Sequence, residues 1–90
     1  MKQDEVLSRT RAYVKENFLY TRPDFELDND QPLMEAGVID SMGVMELLDF
    51  IQDEFGVMVA DDEITEDNLG TLNAIASYVT AKRNGSSPED

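Results

Sequence analysis

The stretch Asp40-Ser41-Met42-Gly43-Val44-Met45-Glu46-Leu47-Leu48-Asp49-Phe50-Ile51-Gln52-Asp53-Glu54-Phe55 decides the fold of this protein. Val44, Leu47, Leu48, Ile51 and Phe55 recur at the spacing of one helical face, which predicts an amphipathic helix from Ser41 to Phe55. Gly56 follows as a stop signal. Serine and aspartate are both favoured where a helix starts, so Ser41 has a plain role open to it as a cap. A serine there also meets free backbone N–H groups and the positive end of the helix dipole, which favour a phosphate. The chain has no histidine and no cysteine. Ser41 therefore lacks the usual imidazole base, and an exposed, unactivated serine suits modification by another enzyme better than catalysis.

Outward from this helix, the remaining periodic segments are helical too. Val6, Leu7, Val14 and Phe18 fall near one face of a first helix from Gln3 to Phe18, with Tyr13 at its margin. Residues 20–32 form a long connection that needs anchors, and Phe25, Leu27 and Leu33 are the apolar side chains available for that. Val57, Met58 and Val59 make an apolar connector too short to found a sheet. Asp61-Asp62-Glu63-Ile64 predicts one short helical turn, with its acids at the favourable end. Leu72, Ile75, Ala76 and Val79 mark a final helix entered through Gly70 and Thr71. The expected architecture is all-α: a small four-helix bundle of three main helices and one short one, with a long loop between the first two. Residues 1–83 should form the domain, and residues 84–90, rich in polar residues with glycine and proline, a disordered tail.

Ninety residues with 41% hydrophobic content are enough for one modest core. No run is long or apolar enough to span a membrane. The charged start lacks an apolar signal core, so a cytoplasmic location is expected. Absent cysteines exclude disulfides and thiolate metal sites. A formal net charge of −13 makes nucleic acid an unsuitable partner and basic protein surfaces natural ones.

The segment from Leu33 to Leu48, with Ala36-Gly37-Val38-Ile39-Asp40-Ser41-Met42 at its centre, resembles the prosthetic-group segment of acyl carrier proteins. The resemblance extends through Asp53-Glu54-Phe55-Gly56-Val57 and Asn68-Leu69-Gly70-Thr71-Leu72-Asn73-Ala74-Ile75-Ala76, covering about residues 33–79. It implies a non-catalytic carrier with 4′-phosphopantetheine esterified to Ser41, whose thiol bears acyl or aminoacyl groups as thioesters. A phosphopantetheinyl transferase would load the arm from coenzyme A and supply both magnesium and the base. An acyl- or aminoacyl-activating ligase, together with acyltransferase or synthase enzymes of fatty acid, polyketide or specialised acyl metabolism, would then use it. A monomer is expected.

Met42 stands where fatty-acid carriers usually have leucine, and Val38-Ile39 replaces the Gly-Gly common in peptide-synthetase carriers. Ala36 to Met42 looks like free-standing D-alanyl carrier proteins, whereas residues 68–72 depart from their tryptophan-containing pattern. A specialised acyl or aminoacyl carrier is the description these residues imply.

The same resemblance places partner docking on the second helix, at Asp40, Met42, Met45, Glu46, Asp49 and Asp53, with Gln52 where a further acid is common. Exposed methionines suit surfaces that accept several partners. The competing possibility is that both methionines belong to the core and the acids form a solvated face. No metal site is expected, because loops counted from Asp28 and Asp61 lack the glycine and glutamate that a helix-loop-helix calcium site requires. The alternative function is an unmodified acidic domain that docks on basic partners.

Overall fold

Amphipathic periodicity and three long apolar stripes lead to an all-α bundle. The computed structural model describes residues 2–22 and 24–85. Helix α1 spans Gln3–Phe18, α2 Ser41–Phe55, α3 Glu66–Leu69 and α4 Leu72–Gly85, with a 3-10 turn at Asp61–Glu63. Among the described residues there is no strand, and no helix is long and apolar enough to cross a membrane.

The core is built from the predicted stripes. Val6 and Val14 of α1, Leu47, Ile51 and Phe55 of α2, and Leu72, Ile75, Ala76 and Val79 of α4 are all buried. Helix α1 lies chiefly against α4, and α2 closes on both. Burying these side chains removes apolar surface from water at about 25 cal/mol per Å², the main drive for so small a domain. Thr10 of α1 is also fully buried, which its polar side chain concealed in the sequence. Leu7, Phe18 and Val44, expected on the inward stripes, are only half-buried.

The long connection is held by its own backbone and by side chains. Leu27 and Leu33 are buried and Phe25 packs partly against the core, as the anchors expected of them. Arg11 Nη1 donates to the Leu27 carbonyl at 2.5 Å, and Asn73 N donates to the Asn29 carbonyl at 2.9 Å. Leu33 N donates to Gly70 O at 2.9 Å, tying this loop to the junction of α3 and α4. A loop of this length stays compact because its polar backbone groups find such partners.

Helix α2 ends where expected. Gly56 adopts φ 66°, a left-handed conformation that glycine enters without steric cost, and its N–H closes on Gln52 O at 3.0 Å. The Arg83 guanidinium donates to the Phe55 carbonyl, placing a cation at the negative end of the helix. The short helical element expected at residues 61–64 is the 3-10 turn, and it is followed by a second short piece, α3. Four residues are too few to show a helical period, so α3 left no pattern in the sequence. Helix α4 continues through Gly85, and the part of the expected tail beyond it lies outside the described residues.

Glu63 locks this irregular region to α4. Its Oε1 accepts from Lys82 Nζ at 2.5 Å, from Tyr78 OH at 3.0 Å and from Ala60 N at 3.0 Å. The Lys82 ammonium, then the Ala60 and Tyr78 hydrogen bonds, hold the carboxyl down at about 2, below its ordinary 4.5. Burial, reinforced by that carboxylate, pushes the Tyr78 hydroxyl up to about 12.

Candidate functional site

The cap of α2 is made by Asp40. Its backbone is extended (φ −113°, ψ −173°), and Oδ1 accepts from Gly43 N at 2.7 Å. Ser41 is the first helical residue and is exposed. The capping role open to serine in the sequence is therefore taken by its neighbour. Asp40 thus has a structural duty in addition to any contact with a partner.

Gly43 is what lets the end of α1 close on this first turn. It is buried, and a Cβ placed there would stand 3.0 Å from Phe18 Cε1 and 3.2 Å from Ile39 Cβ. On the entering side, Val38 and Ile39 are buried, and both their N–H groups donate to Leu33 O, at 2.9 and 3.3 Å. Ser41 consequently stands on a braced platform. The free N–H groups and dipole of the helix start favour an anion attached at its oxygen.

Beside Ser41 opens a cavity of about 550 Å³. Leu33, Ile39 and Val44 line it from the loop and α2, while Ile64, Leu69 and Gly70 line it from the α3 region. Glu35, Thr65 and Glu66 add polar groups to an otherwise largely apolar wall. This cavity explains why Val44 is only half-buried: it faces a groove instead of packed core. Sequence reasoning did not single out Ile64, Leu69 or Gly70 as part of a site. The available signal was an isolated Ile64 within an acidic stretch, which has no partner until the protein folds.

Along α2, Met42 and Met45 are 76% and 55% exposed, and Glu46, Asp49 and Asp53 are exposed with them. The core reading of the methionines is thereby set aside. Leu47, Leu48, Ile51 and Phe55 take the opposite side of the helix into the core. Among the described residues, Glu46, Asp49 and Asp53 form no ion pair, so this surface carries uncompensated negative charge. Gln52, which stands among these acids, is used internally: its Oε1 accepts from Val59 N at 3.1 Å and holds the connector after α2. The Asp24 to Asp30 acids do not converge, and among the described residues no group of three or more carboxylates is arranged to hold a metal ion.

Residues 16–79 match the family described as "Phosphopantetheine attachment site". The chain is also similar to the D-alanyl carrier protein of Streptococcus sanguinis (strain SK36), with 40% identity over 55 residues, covering 61% of this chain and 70% of that protein. The D-alanyl carrier protein of Streptococcus mutans serotype c is 38% identical over 55 residues, with the same shares of the two proteins covered. That of Bacillus velezensis is 32% identical over 78 residues, covering 87% of this chain and 92% of its own. The geometry fits a phosphate-linked arm, since an exposed hydroxyl at a helix start adjoins an apolar groove.

Proposed function

Because this chain belongs to the phosphopantetheine-binding carrier protein family, we propose that Ser41 bears its 4′-phosphopantetheine arm and that the cargo is an aminoacyl group. A member of this family is a carrier and not a catalyst, and it works with enzymes that attach the arm and load or unload it. When bound, the arm supplies a thiol that holds the cargo as an activated thioester. The protein's own residues do the rest.

The observation that carries the proposal is the division of labour between Asp40 and Ser41. Asp40 caps the helix, which leaves the exposed Ser41 hydroxyl available to a transferase without loss of the helix start. Ser41 Oγ forms a bond to the phosphorus of coenzyme A on the pantetheine side. The bond to the nucleotide phosphate breaks, adenosine 3′,5′-bisphosphate leaves, and the hydroxyl proton passes to a base of the transferase. The groove from Ile39 and Val44 to Leu69 offers the arm apolar walls, with Glu35, Thr65 and Glu66 near for polar contacts. Met42 and Met45, with Glu46, Asp49 and Asp53, form the surface on which basic partner enzymes dock.

D-alanine is the cargo that the relatives' names favour. A phosphopantetheinyl transferase, a D-alanine-activating ligase and an accepting acyltransferase are the corresponding partners, and a cytoplasmic location would suit that loading. Intact mass after incubation with coenzyme A and a broad-specificity transferase should rise by one arm in the wild type and not at all in Ser41→Ala. An arm on the Ala variant would place the attachment elsewhere, and none on the wild type would favour the unmodified acidic interaction domain. Presenting D-alanine or fatty acids to the arm-bearing protein, each with its activating ligase, then reads the cargo as a second mass step. Glu46→Lys should slow that second step while leaving the melting temperature nearly unchanged, because exposed substitutions cost under about half a kcal/mol.

A further inference from the structure

Alongside the acids of α2 runs a groove shared with α1, lined by Tyr13, Glu46, Asp49, Phe50, Asp53 and Glu54. The rings of Tyr13 and Phe50 stack in it, with centroids 4.1 Å apart and planes within 13°. Phe50 sits edge-on against the buried Phe55 at 5.7 Å, and the Tyr13 hydroxyl donates to Glu46 O at 3.2 Å. Both rings are half-buried; each gives one face to the other, and the ring surface that remains uncovered borders the groove.

Its rim is acidic. Among the described residues, Glu46, Asp49 and Asp53 lack an ion-pair partner, whereas Glu54 already holds the Arg9 guanidinium at 2.7 Å. The protein thus seats one arginine of its own at the edge of the groove and leaves the remaining carboxylates open. Burial raises the Tyr13 hydroxyl above its usual range, and the charges of Glu46 and Asp49 add to the effect, so their field reaches the ring. A cation that stacks on aromatic faces while hydrogen-bonding to carboxylates is matched to this combination. Arginine does both, because its guanidinium is planar and weakly hydrated, whereas the lysine ammonium is a compact, strongly hydrated charge.

We propose that the groove floored by Tyr13 and Phe50 is the seat for an arginine side chain on the surface of a partner protein. It rests on the reading of α2 as a docking face and extends that face across to α1. The general acidic surface draws basic partners in by charge, and the aromatic floor distinguishes arginine from lysine among them.

The test uses the 90-residue chain and capped hexaarginine and hexalysine peptides of equal charge, titrated at one low ionic strength. Hexaarginine should bind about two- to fivefold more tightly, the range of an exposed cation–π contact, and should shift the ring resonances of Tyr13 and Phe50. Removing both rings, in Tyr13→Leu combined with Phe50→Leu, should bring the two peptides to parity at unchanged net charge, while Tyr13→Phe, which keeps the ring stack, should preserve the arginine preference. Circular dichroism of both variants establishes that the helices are intact. Equal affinities in the wild type, or a preference that survives the loss of both rings, would overturn the proposal. So would peptide-induced shifts confined to residues outside this groove. Mass measurement of arm attachment on the same proteins keeps the two ideas separate: a wild type that loads but shows no arginine preference loses only the groove, whereas failure of loading removes the docking face on which it rests.

Discussion

The Asp40 carboxylate accepts the Gly43 N–H at 2.7 Å, one residue before the helix that Ser41 opens. Cap and hydroxyl therefore belong to adjacent residues with separate duties. Asp40→Ala should cost about 1 kcal/mol, the usual loss of an N-cap, and lower the melting temperature by about 4–8 °C for a domain of this size. Ser41→Ala should stay within about half a kcal/mol of the wild type. Thermal melts of both variants, without the arm attached, check the pair. Equal losses would show that Ser41 shares the cap.

Thr10 offers a stabilising change. Its side chain is fully buried in α1 and its Oγ1 has no hydrogen-bond partner. Removing an unsatisfied buried hydroxyl relieves a desolvation cost of about 1–3 kcal/mol. Valine has the same branched shape and a similar helix propensity, so packing should be retained. Thr10→Val should raise the melting temperature by several degrees, about 1 kcal/mol of stability or slightly more. A lowered melting temperature would mean that the hydroxyl finds a backbone carbonyl in solution.

Which features could be read from sequence follows from what is local. The stripe Leu47, Leu48, Ile51 and Phe55 fixes one side of α2 as buried and sets Glu46, Asp49 and Asp53 at helical spacing away from it, whereas a core place for Met42 and Met45 stayed open until their exposure was seen. Val44 belongs to the same periodicity yet lines a groove, because spacing does not reveal whether the facing element closes tightly. Two good capping residues in succession left the cap undecided until the helix start was placed. Thr10 and Gly43 are buried through packing between elements, to which a hydrophobic pattern is blind. The Glu63–Lys82 pair joins residues far apart in the sequence, and nothing local announces it.

The excess of carboxylates should make stability depend on salt. With a formal charge of −13, self-repulsion opposes compaction, and added salt screens it over a Debye length of about 10 Å at 0.1 M. The melting temperature in neutral buffer should therefore rise with sodium chloride and, at lower concentrations, with magnesium or calcium. The response should be graded, since among the described residues no cluster of carboxylates is arranged as a metal site. One tight, stoichiometric calcium site in a calorimetric titration would contradict this.

Glu63 should give the fold a distinct dependence on acid. Its carboxyl is held at about 2 in the folded protein, against an ordinary value of 4.5, chiefly by Lys82. A folded value below the unfolded one means that the unfolded state takes up the proton first. The stability Glu63 contributes is then fully present above pH 4.5 and is lost as the pH falls from there through about 2. Protonation of the other acids acts on wild type and variant alike, so the informative quantity is the gap in melting temperature between wild type and Glu63→Gln. That gap should be widest above pH 5 and narrow steadily toward pH 2, whereas one that stays constant would show that Glu63 acts by packing alone. Because Asn68 Nδ2 donates to the Glu63 carbonyl at 2.9 Å, the segment through α3 is fastened at the same point. Hydrogen exchange in residues 64–69, the groove wall beside Ser41, should accordingly quicken in Glu63→Gln at neutral pH more than exchange in α1.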